Sequence, residues 1–454
     1  MKKKIRIGCG AGFSGDRIDA AWVLAENGEL DYLVLECLAE RTIALAQKRK
    51  LEDATKGYDP LLERRIIALL PLLVSRKIRL ITNMGAANPL AAARKIAEIA
   101  ASNGFRVNVA AVTGDDLLED RSGKKNFDLR KFTIFEGDQE TIDNQHFPVT
   151  NDLVVSANAY LGMDGIVSSL EGGADIVVTG RVADPSLFLA PMVHEFGWDR
   201  DDFDILGKGT IVGHLLECAG QLSGGYFADP VKKPVANLER LGHPYADVFA
   251  DGTAVVSKVE GTGGCINLMT VKEQLLYEVI NPGEYVTPDV VADFSTVRLA
   301  QLGKDSVGIS GGGGRRRPST YKVCVGYKAF YLGEGEISYA GESAYERARM
   351  AGQILAARLS GKFEDVRVDY IGVQSAFTKI FADKGSPYEV RLRVAGRAKS
   401  MEDAQLIGEE TEALYTNGPA GGGGVRKYAT EVVGIISVLS EREIFTSKTT
   451  FIGQ

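Results

Sequence analysis

Short branched apolar runs alternate with helical stretches through the first half of the chain, and this alternation limits the fold more than any other feature. "IRIGC", "DYLVLEC", "IRLITNM" and "VNVAAVT" are apolar along nearly their whole length, as strands covered on both faces of a parallel sheet must be. Between them "RIDAAWVLAENG" and "LAAARKIAEIAASNG" read as helices that close on a glycine. A fifth unit, "ADIVVTG", follows "AYLGMDGIVSSLEGG". The order predicts an α/β fold, an open, mostly parallel sheet with flanking helices and right-handed crossovers. At 454 residues the chain exceeds one hydrophobic core, and the proline-bearing stretch "VINPGEYVTPDV" marks the expected boundary. Residues 1–285 would then form the α/β domain carrying a strand-end site, and residues 286–454 a smaller α+β domain with a mostly antiparallel sheet.

The formal net charge of −7 argues against general nucleic-acid binding, which needs a basic surface. No run of about 18 apolar residues suggests a membrane span, and the basic start "MKKKIRIG" leads into a strand, so a cytoplasmic location is expected. Cys9, Cys37, Cys218, Cys265 and Cys324 are scattered and odd in number, the usage of free thiols.

Ligands of open α/β sheets bind beyond the carboxyl ends of the strands. Those ends are polar here: "GFSGDR", "ECLAERT", "TNMGAANP", "TGDD" and "TGRVADP". They supply the candidate binding residues Gly12, Ser14, Arg17, Asn83, Gly85, Asn88, Asp115, Arg181 and Asp184. Asn88 and Asp184 each precede a proline and are expected to cap helices whose free N–H groups face the crevice. With Arg17 and Arg181 beside them, these ends suit a small anionic ligand. Asp16, Glu36 and Glu40 are the candidate acid and base, since carboxylates brought together have their pKa values pushed apart. "GAGFSG" fits G-x-G-x-x-G, and Glu36 has the spacing of a ribose-binding acid. Asp16, however, stands where a pyrophosphate would lie, so the dinucleotide reading is the alternative. If the loop serves a ligand, Gly12→Ala should harm binding more than folding.

Each feature has a plain structural explanation beside it. The caps can simply start helices, Arg181 can pair with Asp184, the glycines can permit close packing, and Asp115 with Asp116 can form a turn. Of His146, His194, His214 and His243, only His214 has helical neighbours of interest, Glu217 and Cys218. One His and one Cys do not make a zinc set, and no metal is assigned. "EGTGGCINLMTVKEQ", "ISGGGGRRRPS" and "YTNGPAGGGGVRK" are glycine loops, the latter two beside cations, that either close over an anion or remain surface loops.

"GAGFSGDRIDAA", "YLVLECLAERT", "TNMGAANPLAAA", "GADIVVTGRVADPSLFLAP", "GHLLECAGQLSGGYFADP", "TVKEQLLYEV" and "TNGPAGGGG" together resemble the acyclic terpene utilisation family typified by AtuA. The resemblance covers nearly the whole chain. It implies catabolism of branched acyl chains and small acids, alongside acyl-CoA dehydrogenases, biotin-dependent carboxylases and enoyl-CoA hydratases. The expected activity is of the lyase or hydratase type on an acyl-CoA or a polycarboxylate. No separate cofactor is assigned, CoA entering only as part of the substrate. The alternatives are an NAD(P)-dependent oxidoreductase using the glycine loop and a non-catalytic acyl-CoA-binding subunit. A homo-oligomer is expected. Some relatives carry a further small C-terminal domain, which implies an accessory subunit that completes the site.

Overall fold

The computed structural model describes residues 2–118, 128–136, 139–145, 147, 149–363, 365–376 and 387–453, with the backbone alone for 139–141. His146 lies outside the described residues. The chain divides into two units, residues 1–326 with 435–454, and residues 327–434. This differs from the expected cut at 285, because strands on both sides of that point join one sheet.

The first unit begins with β1 (Lys4–Ala11), α1 (Ile18–Asn27), β2 (Tyr32–Leu35), α2 (Glu40–Glu52), α3 (Leu62–Arg76), β3 (Arg79–Thr82), α4 (Pro89–Ser102) and β4 (Val109–Thr113). It continues with β5 (Thr133–Glu136), α5 (Gln139–Asn144), β6 (Val154–Ala159), α6 (Asp164–Glu171), β7 (Ile176–Thr179), α7 (Ser186–Phe196) and α8 (Phe203–Glu217). Next come β8 (Pro244–Phe249), β9 (Ala254–Lys258), α9 (Leu268–Leu276), β10 (Tyr285–Val286), β11 (Val291–Asp293), β12 (Arg298–Gly303), β13 (Ser306–Ser310) and β14 (Gly313–Arg315). β15 (Thr320–Ala340) runs on into the second unit, which holds α10 (Ala344–Leu359), β16 (Val366–Ile371), β17 (Glu389–Ala398) and α11 (Met401–Asn417). β18 (Gly423–Glu441) leads back, and β19 (Lys448–Ile452) ends the first unit.

Ten strands form one sheet in the order β12-β13-β9-β8-β1-β2-β3-β7-β4-β19. The centre, β1-β2-β3-β7-β4, is parallel, and β2 is buried at every residue. The flanks are antiparallel, so the expected mostly parallel sheet is in fact mixed. Short turns explain the flanks. β8 and β9 join through "ADGT", with Gly252 at φ 81°, and β12 and β13 through Lys304-Asp305, with Asp305 at φ 51°. Such left-handed turn residues match the twist of hairpin strands.

Neighbouring residues of β1 point to opposite faces and so locate the helices. A Cβ on Gly10 would stand 3.0 Å from the Ala21 side chain of α1, whereas Cys9 Sγ lies 3.8 Å from the carbonyl of Glu217 on α8. α1, α3 and α4 therefore cover one face, where Leu24, Leu69 and Ile96 enter a common core with Leu33 and Leu80. Helices on both faces leave the carboxyl edge of the parallel strands for a site.

In the second unit the residues of β15, β16, β17 and β18 share one sheet, antiparallel where β17 pairs with β15 and β16, with α10 and α11 against it. Ala344, Ala348, Ala351, Leu355 and Leu359 recur at helical spacing and seat α10 on Ile337, Leu392 and Val394. The alternate strand positions carry cross-strand ion pairs, Arg391 with Glu336, and Arg393 with both Glu334 and Asp369.

Candidate active site

Arg181 leaves the carboxyl end of β7 and is only 1% exposed. Its backbone N–H donates to Asp115 Oδ2 at 2.9 Å, and Asn158 donates to the same oxygen at 2.9 Å. A Cβ on Gly180 would stand 2.6 Å from Asp115, so this turn needs glycine. The guanidinium donates to the carbonyls of Leu38 and Val182 and to Asp184 Oδ1, and it lies 4.2 Å from the centre of the Tyr160 ring. Burial works against its charge, but Asp184, Tyr160, Glu40 and Glu36 more than offset this and raise its pKa. Its partners are thus internal, in place of the anion toward which the guanidinium was expected to turn. Asp184 does not cap α7 either, because Pro185 holds that position with no side-chain hydrogen bond. Asn88 does cap α4, accepting from the Ala91 N–H at 3.3 Å.

The glycine loop after β1 supplies its own anion. Asp16 Oδ2 accepts from the Gly12 N–H at 2.9 Å, and Oδ1 from the Arg17 N–H at 2.8 Å. The backbone donors that a pyrophosphate would use at these positions are taken. A Cβ on Gly12 would stand 2.5 Å from the backbone carbon of Cys218, and one on Gly10 2.7 Å from Leu35. Close packing accounts for these two glycines. Arg17 pairs with Asp19 and donates to the Glu239 carbonyl at 2.7 Å. Ser14 donates to Asp59 at 2.6 Å.

A cleft of about 1150 Å³ opens beyond these strand ends. Of the expected residues, Gly12, Ser14, Asp16, Arg17, Glu36, Glu40 and Asp184 line it. Asn83, Gly85, Asn88, Asp115 and Arg181 do not; Asn83 holds Glu36 and Arg181 holds Asp184, while Asp115 holds Arg181 in turn. The lining carries eight carboxyl side chains against two cations, Arg17 and Lys322; even without Glu36 and Glu217, whose pKa values burial raises, the acids outnumber the cations, so the cleft is a poor host for an anion.

Glu36, at the end of β2, accepts on Oε1 from the Leu38 N–H at 2.7 Å and from Asn83 Nδ2 at 2.8 Å. Burial pushes its carboxyl up to about 8, Asp184 adds to the rise, and Arg181 with these hydrogen bonds opposes it. Glu40 goes the other way. Burial would raise it, yet Arg181, the Tyr160 hydroxyl and Lys322 prevail and lower it, keeping a charged group.

Two further groups on the wall were not among the expected site residues. His214, fully buried on α8, has Nε2 at 3.0 Å from the Gln274 carbonyl and Nδ1 at 2.9 Å from Glu217 Oε1. A carbonyl only accepts, so Nε2 carries the hydrogen. Burial lowers the imidazole to about 4, and in its neutral form Nδ1 is an acceptor. The proton between them therefore belongs to Glu217, in keeping with the burial that raises its pKa strongly. Glu217 Oε2 has no hydrogen-bond partner among the described residues. His243 also lines the cleft. Its Nδ1 lies 3.2 Å from the Gly10 carbonyl, and Nε2 lies 3.6 Å from Asp16 Oδ1. Burial lowers its pKa, and the charge of Asp16 opposes this. The one signal for Glu217 in the sequence is its spacing from His214; nothing local marks His243.

Fold and site together define a mixed α/β protein with an acid-rich cleft at the carboxyl ends of parallel strands. The family model described as acyclic terpene utilisation family protein AtuA matches residues 5–451, and the chain belongs to that family. Searches of curated proteins and of solved structures find no match. Among the described residues no three His, Cys, Asp or Glu side chains form a metal-binding group, and no helix is long and apolar enough to cross a membrane.

Proposed function

We propose that the chain is a proton-transfer enzyme of the hydratase or lyase type, acting beside the carbonyl of an acyl thioester. One observation carries the reading: Glu36, a carboxyl held by two hydrogen bonds on a single oxygen, lines the cleft with its pKa pushed up to about 8. Such a group keeps its proton at neutral pH and can deliver it. Glu217, raised by burial, is a second acid, and His243, lowered by burial, is the base. Addition or removal of water needs this complement. A base takes the proton next to the carbonyl while an acid protonates the departing hydroxyl, and the reverse steps add water. The carboxyl groups of the lining other than Glu36 and Glu217 favour a neutral thioester head over a polycarboxylate. The oxidoreductase alternative loses support because Asp16 takes the loop's N–H donors.

Enoyl and 3-hydroxyacyl thioesters, with polycarboxylates as controls, are incubated with the protein in heavy water and followed by NMR. The expected result is deuterium entering the carbon next to a thioester carbonyl, slowed about 100-fold in Glu36→Gln. Tight thioester binding without exchange would mean a non-catalytic carrier and overturn the proposal.

A further inference from the structure

Beside the cleft lies a second hollow of about 670 Å³ with three arginines on its wall, Arg316, Arg317 and Arg442, against one acid, Glu443. Pro318 and Tyr321 line both spaces, so the two adjoin. Arg442 is held in place. Its guanidinium donates to the Pro288 carbonyl and to the Tyr321 hydroxyl, each at 2.9 Å, and lies 4.0 Å from the centre of the Tyr321 ring. Arg316 and Arg317 make no hydrogen bond or ion pair among the described residues. This contrasts with Arg315 next to them, which is paired to Glu284 at 2.7 Å and donates to the Gly283 carbonyl at 3.0 Å.

We propose that this hollow binds the phosphate-bearing tail of the substrate whose neutral head enters the carboxyl-lined cleft. The inference rests on the thioester reading above and narrows its substrate class. Like charges gathered on one wall repel unless an anion lies between them. Guanidinium groups suit phosphate because their N–H pairs match its oxygens. The "SGGGGRRRPS" stretch presents these arginines just after a glycine turn in which Gly311 and Gly312 have φ 73° and 71°. The division of charge is also what a bipolar molecule requires. An anionic tail would be repelled by the cleft and attracted by the hollow, which fixes the orientation of the head.

Calorimetric titration with free CoA, dephospho-CoA and inorganic pyrophosphate, on wild type and on the double variant Arg316→Ala/Arg317→Ala, tests this. CoA should bind wild type more tightly than dephospho-CoA, and added salt should weaken it. The double variant should lose about tenfold in CoA affinity per arginine, ~1.4 kcal/mol each. Pyrophosphate bound as tightly as CoA would mean a site for free phosphates and overturn the assignment to a substrate tail. Equal CoA affinity in wild type and variant would also overturn it. Deuterium exchange on a thioester that lacks the phosphate tail separates the two proposals. Exchange there alongside arginine-independent CoA binding sinks only the tail site. Arginine-dependent CoA binding without exchange on any thioester sinks only the proton-transfer reading.

Discussion

At Arg181 the chain buries a guanidinium whose counter-charge, Asp184, stands three residues further on and keeps 34% of its surface exposed. Arg181→Met removes one partner of this pair and three side-chain N–H donors' bonds in all, leaving Asp184 uncompensated. Because water still reaches Asp184, the loss should be at the low end for broken buried pairs, about 3 kcal/mol. Chemical denaturation of the apo protein checks it, and unchanged stability would restore a ligand-facing role. The sequence showed both possible partners of this arginine, but not which way the side chain turns. That depends on Leu38, Tyr160 and Val182, which converge only in the fold. Glu36 was visible as a strand-end carboxyl. Its raised pKa was not, because burial and the nearby Asp184 are properties of the assembled wall.

The strand-turn-helix element around "GAGFSG" carries a second prediction. Ala at position 12 places a methyl group 2.5 Å from the Cys218 backbone, and backbone cannot step aside as a flexible side chain can. Gly12→Ala should therefore cost about 3 kcal/mol of stability. Denaturant unfolding measures this, and full stability with weakened ligand binding would restore the ligand-approach reading. The glycines, strands and helices of this half were legible because periodicity and helix-end glycines are local signals. The antiparallel flank was harder to read. β8 and β9 alternate buried and more exposed residues over six and five positions, too short a pattern to stand out among irregular segments. β19 becomes part of the sheet only by pairing with β4, more than 300 residues earlier in the chain.

On the scale of the whole molecule, a net charge of −7 hides an uneven distribution. Carboxyl groups gather at the strand ends while Arg316, Arg317 and Arg442 meet at a neighbouring hollow. Composition gives only the total charge and could not reveal this separation, which arises from elements far apart in sequence. The central claim is that Glu36 stays protonated in the folded cleft at neutral pH, and stability must then respond to pH. Its folded pKa of about 8 lies above the ordinary 4.5, so between these values the folded chain holds a proton that the unfolded chain has released. This group's contribution to stability therefore falls as pH rises through that window. Glu36→Gln removes the titration while keeping an oxygen for the Leu38 and Asn83 donors. The decisive measurement is the melting temperature of wild type and Glu36→Gln from pH 5 to pH 8. The advantage of the variant should grow steadily across the series; a difference that stays flat or shrinks would contradict a protonated Glu36.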